Sequence, residues 1–486
     1  MSSDRKLTPL GEDFSAWYNE VVLRAELVDY TPVKGSLVIR PYGYAIWELI
    51  QGALDGMFKA TGHENAYFPL LIPESLLAKE AEHIKGFAPE TAVVTRGGGK
   101  ELEEPLVIRP TSEAIIWPIM AGWIQSYRDL PLLINQWANI VRWELRTRPF
   151  LRTLEFLWQE GHTAHATQEE AEAEARQMLG IYRRFMEDWM AMPPVTGRKT
   201  EREKFAGADR TYSCEPMMQD NRALQAATSH NLGQKFSRAF EVKFQTEAGE
   251  HDYVWSTSWG ASTRLIGGLV MTHGDDVGLI LPPKLAPIQV VVVPIYKSSA
   301  ERASVLEAAE RIRASLDRNV RVKVDDRDTL NPGAKFYEWE RKGVPVRLEI
   351  GPRDVAAGQV MVVRRIVFGD AERKVAMGES EAIGMLEGLL ETMQAGLHER
   401  ALDRRERNSY RGLKDYGEFK QIMSQSGGYI YTGWCGGEEC ESKIKDDTKA
   451  TIRVIPDPEF RSDDAPDKCI ACGAESTNEV LWARAY

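Results

Sequence analysis

One stretch of the sequence, residues 139–165, most constrains what this chain can fold into: NIVRWELRTRPFLRTLEFLWQEGHTAH. Its alternating residue types predict two strands, 140–145 and 152–162, joined by a basic loop that contains Pro149. Because a strand repeats every two residues, Arg142 and Glu144 should share one face. The second strand should place charged and aromatic side chains on one face, namely Arg152, Phe156, Trp158, Glu160 and His162.

Two interpretations of this hairpin face are open. A solvated sheet face would explain the charges, whereas a buried face would make them costly unless they met partners or a ligand. The large aromatic rings of Phe156 and Trp158 beside the charges favour the second interpretation. We therefore expect a binding surface on this hairpin.

Length and composition restrict the class of protein. A chain of 486 residues predicts two to four domains, and 43% hydrophobic residues can form large cores. The net charge of −11 is not typical of a nucleic-acid-binding protein, so any RNA contact must use local patches. The polar N-terminus predicts no signal peptide, and the lack of an 18-residue apolar run predicts no membrane span. We expect a cytoplasmic protein.

Two segments before the hairpin have both a structural and a functional interpretation. Helical periodicity over 42–60, closed by Gly62, precedes a predicted strand over 63–71 that contains Pro69. Such a unit suits a dimer interface, and it equally suits an ordinary αβ unit. At the start of the next predicted helix, Thr111 and Glu113 are explained by capping, or they bind an ammonium group.

Candidate nucleotide contacts follow the hairpin. An extended segment, 223–232, carries Gln225, Thr228 and His230 at close spacing. A strand over 253–259 precedes a helix over 261–273, and Arg264 lies in the first turn of that helix. An arginine there opposes the helix dipole, so a phosphate contact explains it better than helix stability does.

Three arginines on separate elements, Arg142, Arg152 and Arg264, could surround a triphosphate. The sequence contains neither G-x-x-x-x-G-K-[ST] nor G-x-G-x-x-G. A nucleotide should therefore lie on an antiparallel sheet. Gln225 is a weak candidate ligand for Mg²⁺, and Glu215 is an alternative.

After Pro282-Pro283 the pattern changes to alternating strands and helices, which predicts a compact α/β domain. Its arginines could meet RNA or could form a solvated surface. These are Arg347, Arg353, Arg364 and Arg365.

Four of the five cysteines lie in the last 52 residues, in two close pairs. They are Cys435, Cys440, Cys469 and Cys472. Four soft ligands in this spacing suit a closed, structural zinc site. Two disulfides are the alternative, but no secretory signal supports them.

The motifs resemble those of class II aminoacyl-tRNA synthetases. RWE at 142–144, with a loop returning to Arg152, resembles the second class II motif, and GASTRLIGG at 260–268 resembles the third. The helix and the strand with Pro69 resemble the first, dimer-forming motif. Longer fragments resemble the prolyl-tRNA synthetase family over essentially the whole chain: RPTSE, FLRTLEFLWQEGHTAH, KFAGAD, QAATSHNLGQKFS and RLEIGPRD.

The resemblance implies an α+β fold in three parts. These are an antiparallel-sheet catalytic domain (1–282, with its motifs near 42–71, 139–165 and 253–283), an α/β anticodon-binding domain (283–398) and a small α+β zinc-binding domain (399–486). It implies a homodimer that activates proline with ATP and Mg²⁺ and transfers it to tRNA(Pro).

The resemblance also implies roles for individual residues. Arg142 and Arg264 would be catalytic, with Arg142 on the α-phosphate. ATP would contact Arg142, Glu144, Arg152, Thr153, Gln225, Thr228, Ser262 and Arg264. Proline would contact Thr111, Glu113, Arg142, Phe156, Trp158, Glu160, His162, His230 and Ser258. Arg347 and Arg353 would contact the anticodon.

Two features place the chain within that family. Only about 100 residues separate the hairpin from the third motif, so we expect no editing insertion and some activation of alanine and cysteine. The zinc-type tail resembles the archaeal and eukaryote-like type, in which the carboxylate of a terminal tyrosine, here Tyr486, reaches toward the active site. Two rivals remain: an inactive, RNA-binding relative, and an enzyme for another amino acid.

Overall fold

A long mixed sheet forms the centre of the molecule. The computed structural model describes residues 6–83, 91–316 and 318–486. Eleven strands follow one another across this sheet, and neighbours near the centre are antiparallel. No described helix has the length and apolar character needed to cross a membrane.

The first part of the chain contains α1–α7 and β1–β14. The helices are α1 (Phe14–Arg24), α2 (Pro41–Lys59), α3 (Glu74–His83), α4 (Glu113–Trp123), α5 (Gln168–Asp188), α6 (Lys235–Ala239) and α7 (Arg264–His273). The strands are β1 (Val28–Tyr30), β2 (Leu37–Ile39), β3 (Glu64–Asn65), β4 (Leu71–Pro73), β5 (Ala92–Gly97), β6 (Lys100–Ile108), β7 (Leu132–Val141), β8 (Glu155–His165), β9 (Pro194–Arg198), β10 (Arg210–Pro216), β11 (Ala227–Gly233), β12 (Lys243–Gln245), β13 (His251–Tyr253) and β14 (Trp255–Ser262).

Alternation along the strands gives the central sheet two different faces. Helix α5 begins at a capping box in which the Thr167 side chain accepts from the Glu170 backbone, as S/T-x-x-E patterns predict. The helix covers one sheet face, where Tyr182 donates to Gln159 (2.5 Å) and Ser229 donates to the Ala175 carbonyl (2.7 Å). Because side chains alternate, the neighbours of Gln159 and Ser229 point to the opposite face.

Several predicted strands end elsewhere in the structure. The predicted strand 140–145 is wrong beyond Val141, where β7 ends. The Arg142 amide still donates to the Leu154 carbonyl (2.9 Å), but the chain then leaves the sheet. Residues 142–154 therefore form a loop, which holds Arg142, Glu144 and Arg152. The predicted strand 63–71 is only β3, which pairs with β7, followed by β4 in another sheet.

The second part of the chain is an α/β unit around a five-stranded sheet of order β16-β15-β17-β18-β19. Its elements are β15 (Val290–Pro294), α8 (Ser299–Leu316), β16 (Val322–Val324), α9 (Pro332–Arg341), β17 (Val346–Ile350), α10 (Pro352–Ala357), β18 (Gln359–Arg364), β19 (Lys374–Gly378) and α11 (Glu379–Arg407). Strand β15 runs parallel to β16 and β17, which suits its continuous run of buried valines.

Two predictions near this unit need correction. Residues 277–281 are not a strand, although Leu279 and Leu281 are buried, because their amides bond to the carbonyls of Arg341 and Gly343 outside any ladder. The helix predicted over 379–393 continues to Arg407. The proposed boundary at 398 therefore lies inside a helix.

The third part extends the central sheet. It contains β20 (Ser409–Tyr410), α12 (Tyr416–Ser424), β21 (Tyr429–Trp434), α13 (Glu438–Thr448), β22 (Thr451–Pro456) and β23 (Asn478–Ala483). Strand β22 pairs with β9 through Ile455 and Pro456, so the sheet order runs β20-β21-β23-β22-β9-β10-β11-β14-β8-β7-β3.

Candidate active site

A cavity of about 560 Å³ opens on the sheet face opposite α5. The strands β8, β11 and β14 supply its floor, and most of the predicted site residues line it. These are Thr111, Glu113, Arg142, Phe156, Trp158, Glu160, His162, Gln225, Thr228, His230, Ser258, Ser262 and Arg264.

Strand register explains how distant residues meet in this cavity. On β8, Phe156, Trp158, Glu160 and His162 alternate and so share a face. In the neighbouring strands, Ser258 of β14 pairs with His162 on one side and with His230 of β11 on the other. Three polar side chains thus stand in one row across three strands.

The buried carboxylate of Glu160 organises one end of the cavity. It accepts hydrogen bonds from Gln136 Nε2 (2.5 Å), from the Ser112 hydroxyl and from His162 Nε2 (3.1 Å). Glu113 is also buried and accepts from the Thr111 hydroxyl. Two carboxylates at one end favour a ligand that carries a positive charge there.

The pKa values of the two histidines in the row shift in opposite directions. Burial alone would lower the pKa of His162, but its hydrogen bond to Glu160, together with the charges of Glu160 and Glu113, outweighs burial and raises it. Burial lowers the pKa of His230 to about 3, and the neighbouring His162 adds to this. At neutral pH His230 is therefore an uncharged partner for the Thr211 hydroxyl, 2.9 Å from its Nδ1.

Unpartnered polar atoms in this part of the cavity point to a ligand-binding position. Among the described residues, the buried His162 Nδ1 and Trp158 Nε1 have no hydrogen-bond partner. Buried polar groups are normally satisfied. Apolar ring surface from Trp158 and Phe156 lies beside them, with the two rings 6.2 Å apart and edge to face. This end of the cavity therefore suits a small ligand that is partly apolar and partly charged.

A second cavity of about 360 Å³ adjoins the first at the loop 142–154. It is lined by the remaining predicted nucleotide contacts together with shared residues: Arg142, Glu144, Phe150, Leu151, Arg152, Thr153, Phe156, Ser262 and Arg264. Arg142, Phe156, Ser262 and Arg264 line both cavities. The junction of the two cavities is therefore flanked by two arginines.

The arginines at the junction are held by backbone carbonyls. Arg142 Nε donates to the Pro110 carbonyl (2.9 Å), and its guanidinium lies 5.7 Å from the ring of Trp158. Arg264 donates to the carbonyls of Leu151 (3.3 Å) and Gln225 (3.2 Å). Burial, and then repulsion by Arg142 and Arg152, lower the pKa of Arg264 to about 10. A concentration of positive charge here favours a polyanionic ligand.

Comparison with known proteins agrees with this geometry. Three family models match: "tRNA synthetase class II core domain (G, H, P, S and T)" over 94–273, "Anticodon binding domain" over 289–389, and "Prolyl-tRNA synthetase, C-terminal" over 416–486. The proline–tRNA ligase of Chlorobium phaeobacteroides is 55% identical over 485 residues, covering 99% of each chain. The chain belongs to the prolyl-tRNA synthetase family.

Other relatives agree over the full length. A chloroplastic and mitochondrial proline–tRNA ligase of Arabidopsis thaliana is 53% identical, covering 100% of this chain and 89% of the relative. The crystal structure of the Cryptosporidium parvum prolyl-tRNA synthetase, complexed with halofuginone and AMPPNP, superposes with a TM-score of 0.92 at 40% identity and covers 99% of each chain. The predicted fold and function are confirmed: the chain is a class II synthetase that joins proline to tRNA at the expense of ATP.

Some residues that line the larger cavity were not predicted from the sequence. Glu203, Lys204 and Phe205 line the cavity, as does Thr211. The first three belong to the loop between β9 and β10. The fragment KFAGAD, which overlaps this loop, was the signal that could have found them.

The four tail cysteines of this synthetase lie together. Their sulfur atoms are all within 4.8 Å of one another, and no disulfide joins them. The sulfurs of Cys435 and Cys440 are 3.6 Å apart, and those of Cys435 and Cys472 are 3.8 Å apart. Tetrahedral Zn²⁺ with Zn–S bonds of about 2.3 Å has sulfur–sulfur edges of about 3.8 Å. The donor set and its spacing therefore fit zinc.

The arginines considered for RNA contact differ in their surroundings. Arg347 is paired with Glu349 (2.9 Å), whereas Arg353 is exposed on α10. Arg364 bonds to the Glu372 carbonyl. Arg365 is buried and binds both oxygens of Asp275 (2.5 and 2.8 Å), so it joins the α/β unit to the end of α7.

Tyr486 lies against the loop 142–154. Tyr486 donates from its hydroxyl to Asp220 (2.5 Å), and its ring lies 5.3 Å from the guanidinium of Arg148. Its backbone amide donates to the Ala223 carbonyl (3.2 Å), two residues before Gln225. Tyr486 thus lies near the candidate nucleotide contacts.

Proposed function

We propose that the two adjoining cavities hold the two substrates of adenylate formation, proline in the larger and ATP across the junction into the smaller. The observation that carries this is the junction itself, because Arg142 and Arg264 line both cavities. The α-phosphate would lie between these arginines. Glu144, Arg152 and Thr153 would contact the rest of the nucleotide, with Gln225, Thr228 and Ser262 on the sheet side.

The proline end combines a charged and an apolar surface. Glu113 and Thr111 would bind the cationic secondary amine of proline, and Phe156 and Trp158 would pack against its ring. His162, His230 and Ser258, with Glu160 behind them, would complete the pocket. A ring amine with an apolar edge matches both surfaces.

The chemistry needs positioning and charge neutralisation. A carboxylate oxygen of proline forms a bond to the α-phosphorus, the bond from that phosphorus to the bridging oxygen breaks, and pyrophosphate leaves with the electron pair. Arg142 and Arg264 neutralise the negative charge that develops on the α-phosphate. In the second step a terminal hydroxyl of tRNA attacks the proline carbonyl, and AMP leaves.

Magnesium would add charge neutralisation on the phosphates. Gln225 lines the cavity, and its side-chain amide oxygen is a hard ligand of the kind that Mg²⁺ accepts. We propose Gln225 as the contribution of the chain, with phosphates and water as the other ligands. The spacing of the four tail cysteines supports a structural zinc ion there.

Proline-dependent exchange of pyrophosphate into ATP tests the pocket. Glu113→Gln keeps the shape of the side chain but removes its charge, so it should raise the KM for proline about tenfold or more while the KM for ATP changes little. Glu169→Gln, on the exposed face of α5, is the matched control. An unchanged KM for proline in folded Glu113→Gln would refute the assignment of the larger cavity to proline.

The same assay with other amino acids separates the two alternative functions, an enzyme for another amino acid and an inactive, RNA-binding relative. Alanine and cysteine should support weak exchange, because a small apolar pocket discriminates by only about 1–3 kcal/mol per methylene. A stronger signal with threonine or serine would assign the pocket to another substrate. No exchange with any amino acid would leave only an RNA-binding role.

Domain limits, anticodon contacts, assembly and location are also proposals. We keep 1–282 as the catalytic domain and move the second boundary from 398 to the end of α11 at Arg407, with Arg347 and Arg353 as anticodon contacts. Exposed side chains around the first motif support a homodimer, among them Tyr67 (71% exposed), Leu71 (40%) and Trp123 (48%). Light scattering should give twice the mass of the chain.

We propose the cytoplasm as the location, since tRNA is the substrate, and cell fractionation tests it.

A further inference from the structure

One loop connects the C-terminal part of the chain to the cavity wall. The residues from Thr200 to Phe205 follow β9, the strand that pairs with β22. Within this loop Glu203, Lys204 and Phe205 line the larger cavity. The loop therefore forms part of the pocket, although it begins beside the C-terminal part of the molecule.

The start of the loop is bound by helix α13. Thr200 Oγ1 donates to Glu441 Oε2 (3.2 Å), and Arg202 donates to the Ser442 hydroxyl. Both partners of the first bond are almost fully buried, with Thr200 2% and Glu441 4% exposed. Because a buried hydrogen bond is shielded from water, it can fix the position of the loop.

The end of the loop is bound to the pocket itself. The Phe205 amide donates to Thr211 Oγ1 (3.1 Å), and the same oxygen lies 2.9 Å from His230 Nδ1. The Phe205 ring is 5.2 Å from the His230 ring. A shift of the loop start would therefore reach His230, which stands in the row with Ser258 and His162.

We propose that Glu441 and Ser442 of α13 are positioning residues for the amino-acid pocket. They hold the loop start, and the loop holds Glu203, Lys204 and Phe205 in the pocket wall and His230 in its row. This inference rests on the proposed function, because it takes the larger cavity as the proline site. It gives the C-terminal part a role in amino-acid binding from a distance.

Steady-state exchange kinetics test the proposal through Glu441→Ala and Thr200→Val. Each removes one partner of the same hydrogen bond, so each should raise the KM for proline about fivefold to tenfold. The KM for ATP and kcat should change by less than about twofold. Glu441→Gln keeps an oxygen acceptor and should restore the KM for proline.

Glu439→Ala is the matched control. It makes the same change on the same helix, it also adjoins Cys440, and its side chain is exposed. It should leave every kinetic constant unchanged. The double variant Thr200→Val with Glu441→Ala should raise the KM for proline no further than either single variant, because both remove one bond.

Thermal unfolding and metal content identify variants that have merely lost structure. If Glu441→Ala does not fold, Thr200→Val carries the test, since it keeps the buried side-chain shape. An unchanged KM for proline in folded variants, or an equal rise in the KM for ATP, overturns the proposal. If Glu113→Gln also leaves the KM for proline unchanged, the pocket assignment itself has failed.

Discussion

A buried ion triad joins the catalytic sheet to the C-terminal part and gives a quantitative prediction. Glu215 on β10 has no exposed surface. Its carboxylate accepts from Lys199 Nζ (2.6 Å), from Ser213 Oγ (2.6 Å) and from Arg453 Nε on β22 (3.0 Å). One negative charge thus holds two positive charges from different parts of the chain.

The electrostatics of the triad set the expected size of the effect. Burial alone would raise the pKa of Glu215, but the charges of Arg453 and Lys199 outweigh it and lower the pKa to about 2. Burial, together with repulsion by Arg453, lowers the pKa of Lys199 to about 8 despite attraction by Glu215. Relative to an ordinary value of 4.5, the Glu215 shift corresponds to about 3 kcal/mol in favour of the folded state, and the lowered pKa of Lys199 opposes it by a similar amount while both groups are charged.

We predict that Glu215→Gln lowers the free energy of unfolding by about 3–5 kcal/mol at pH 7, because two buried cations then face a neutral amide. Urea-induced unfolding measures this change. Lys199→Met is the matched control, since it leaves an ion pair of Glu215 and Arg453 with no net charge. It should lower the free energy of unfolding by only about 1–2 kcal/mol.

The pH dependence provides the refuting test. Because the pKa of Glu215 is lowered in the folded state, its contribution is present above the unfolded value of 4.5 and is lost as pH falls toward 2. The difference in the free energy of unfolding between wild type and Glu215→Gln should therefore narrow by about 1 kcal/mol between pH 7 and about pH 3.5. A difference below about 1 kcal/mol at pH 7, or one that widens in acid, would refute this account.

Three further predictions follow from single contacts. Arg142→Ala should abolish proline-dependent exchange in a folded protein, whereas Arg146→Ala, exposed in the same loop, should retain it. Normal exchange in Arg142→Ala would contradict the role of Arg142 at the α-phosphate. Cys469→Ser should lower the zinc content found by metal analysis and destabilise the tail, whereas Cys214→Ala should not change the zinc content. A Cβ at residue 161 would lie 2.1 Å from the Trp259 ring, so Gly161→Ala should lower the free energy of unfolding by about 1–3 kcal/mol. Gly180→Ala in α5, where a Cβ meets no atom within 4 Å, should not lower it.

Much of the site could be predicted from the sequence because its residues alternate along strands. The period of two on β8 brings Phe156, Trp158, Glu160 and His162 to one face, and the structure places that face over the cavity. The position of Arg142 could not be predicted in the same way. Alternation continues past Val141, and only the contact of Arg142 with Pro110, 32 residues earlier, shows that the chain has left the sheet.

The loop after β9 shows a different limit of prediction from sequence. Glu203, Lys204 and Phe205 have no periodicity, and the loop takes its place from Glu441 and Ser442, about 240 residues later in the chain. The helix α11 shows a third limit, because its charged continuation to Arg407 resembles a connector in composition. Arg400 and Arg404 donate to the carbonyls of His273 and Thr272, so long-range contacts stabilise that continuation.

The C-terminal part is a continuation of the catalytic fold. Strand β22 covers the edge of β9, Arg453 neutralises Glu215 and Tyr429 donates to the Glu215 carbonyl (2.9 Å). Without these contacts β9 would be an open sheet edge and Glu215 would lose one of its two cations. Because β9 leads directly into the loop that lines the cavity, the same pairing that completes the sheet also fixes one wall of the site. The tail therefore contacts the cavity wall through sheet continuity and through α13, which carries Cys440 and binds this loop at Glu441 and Ser442.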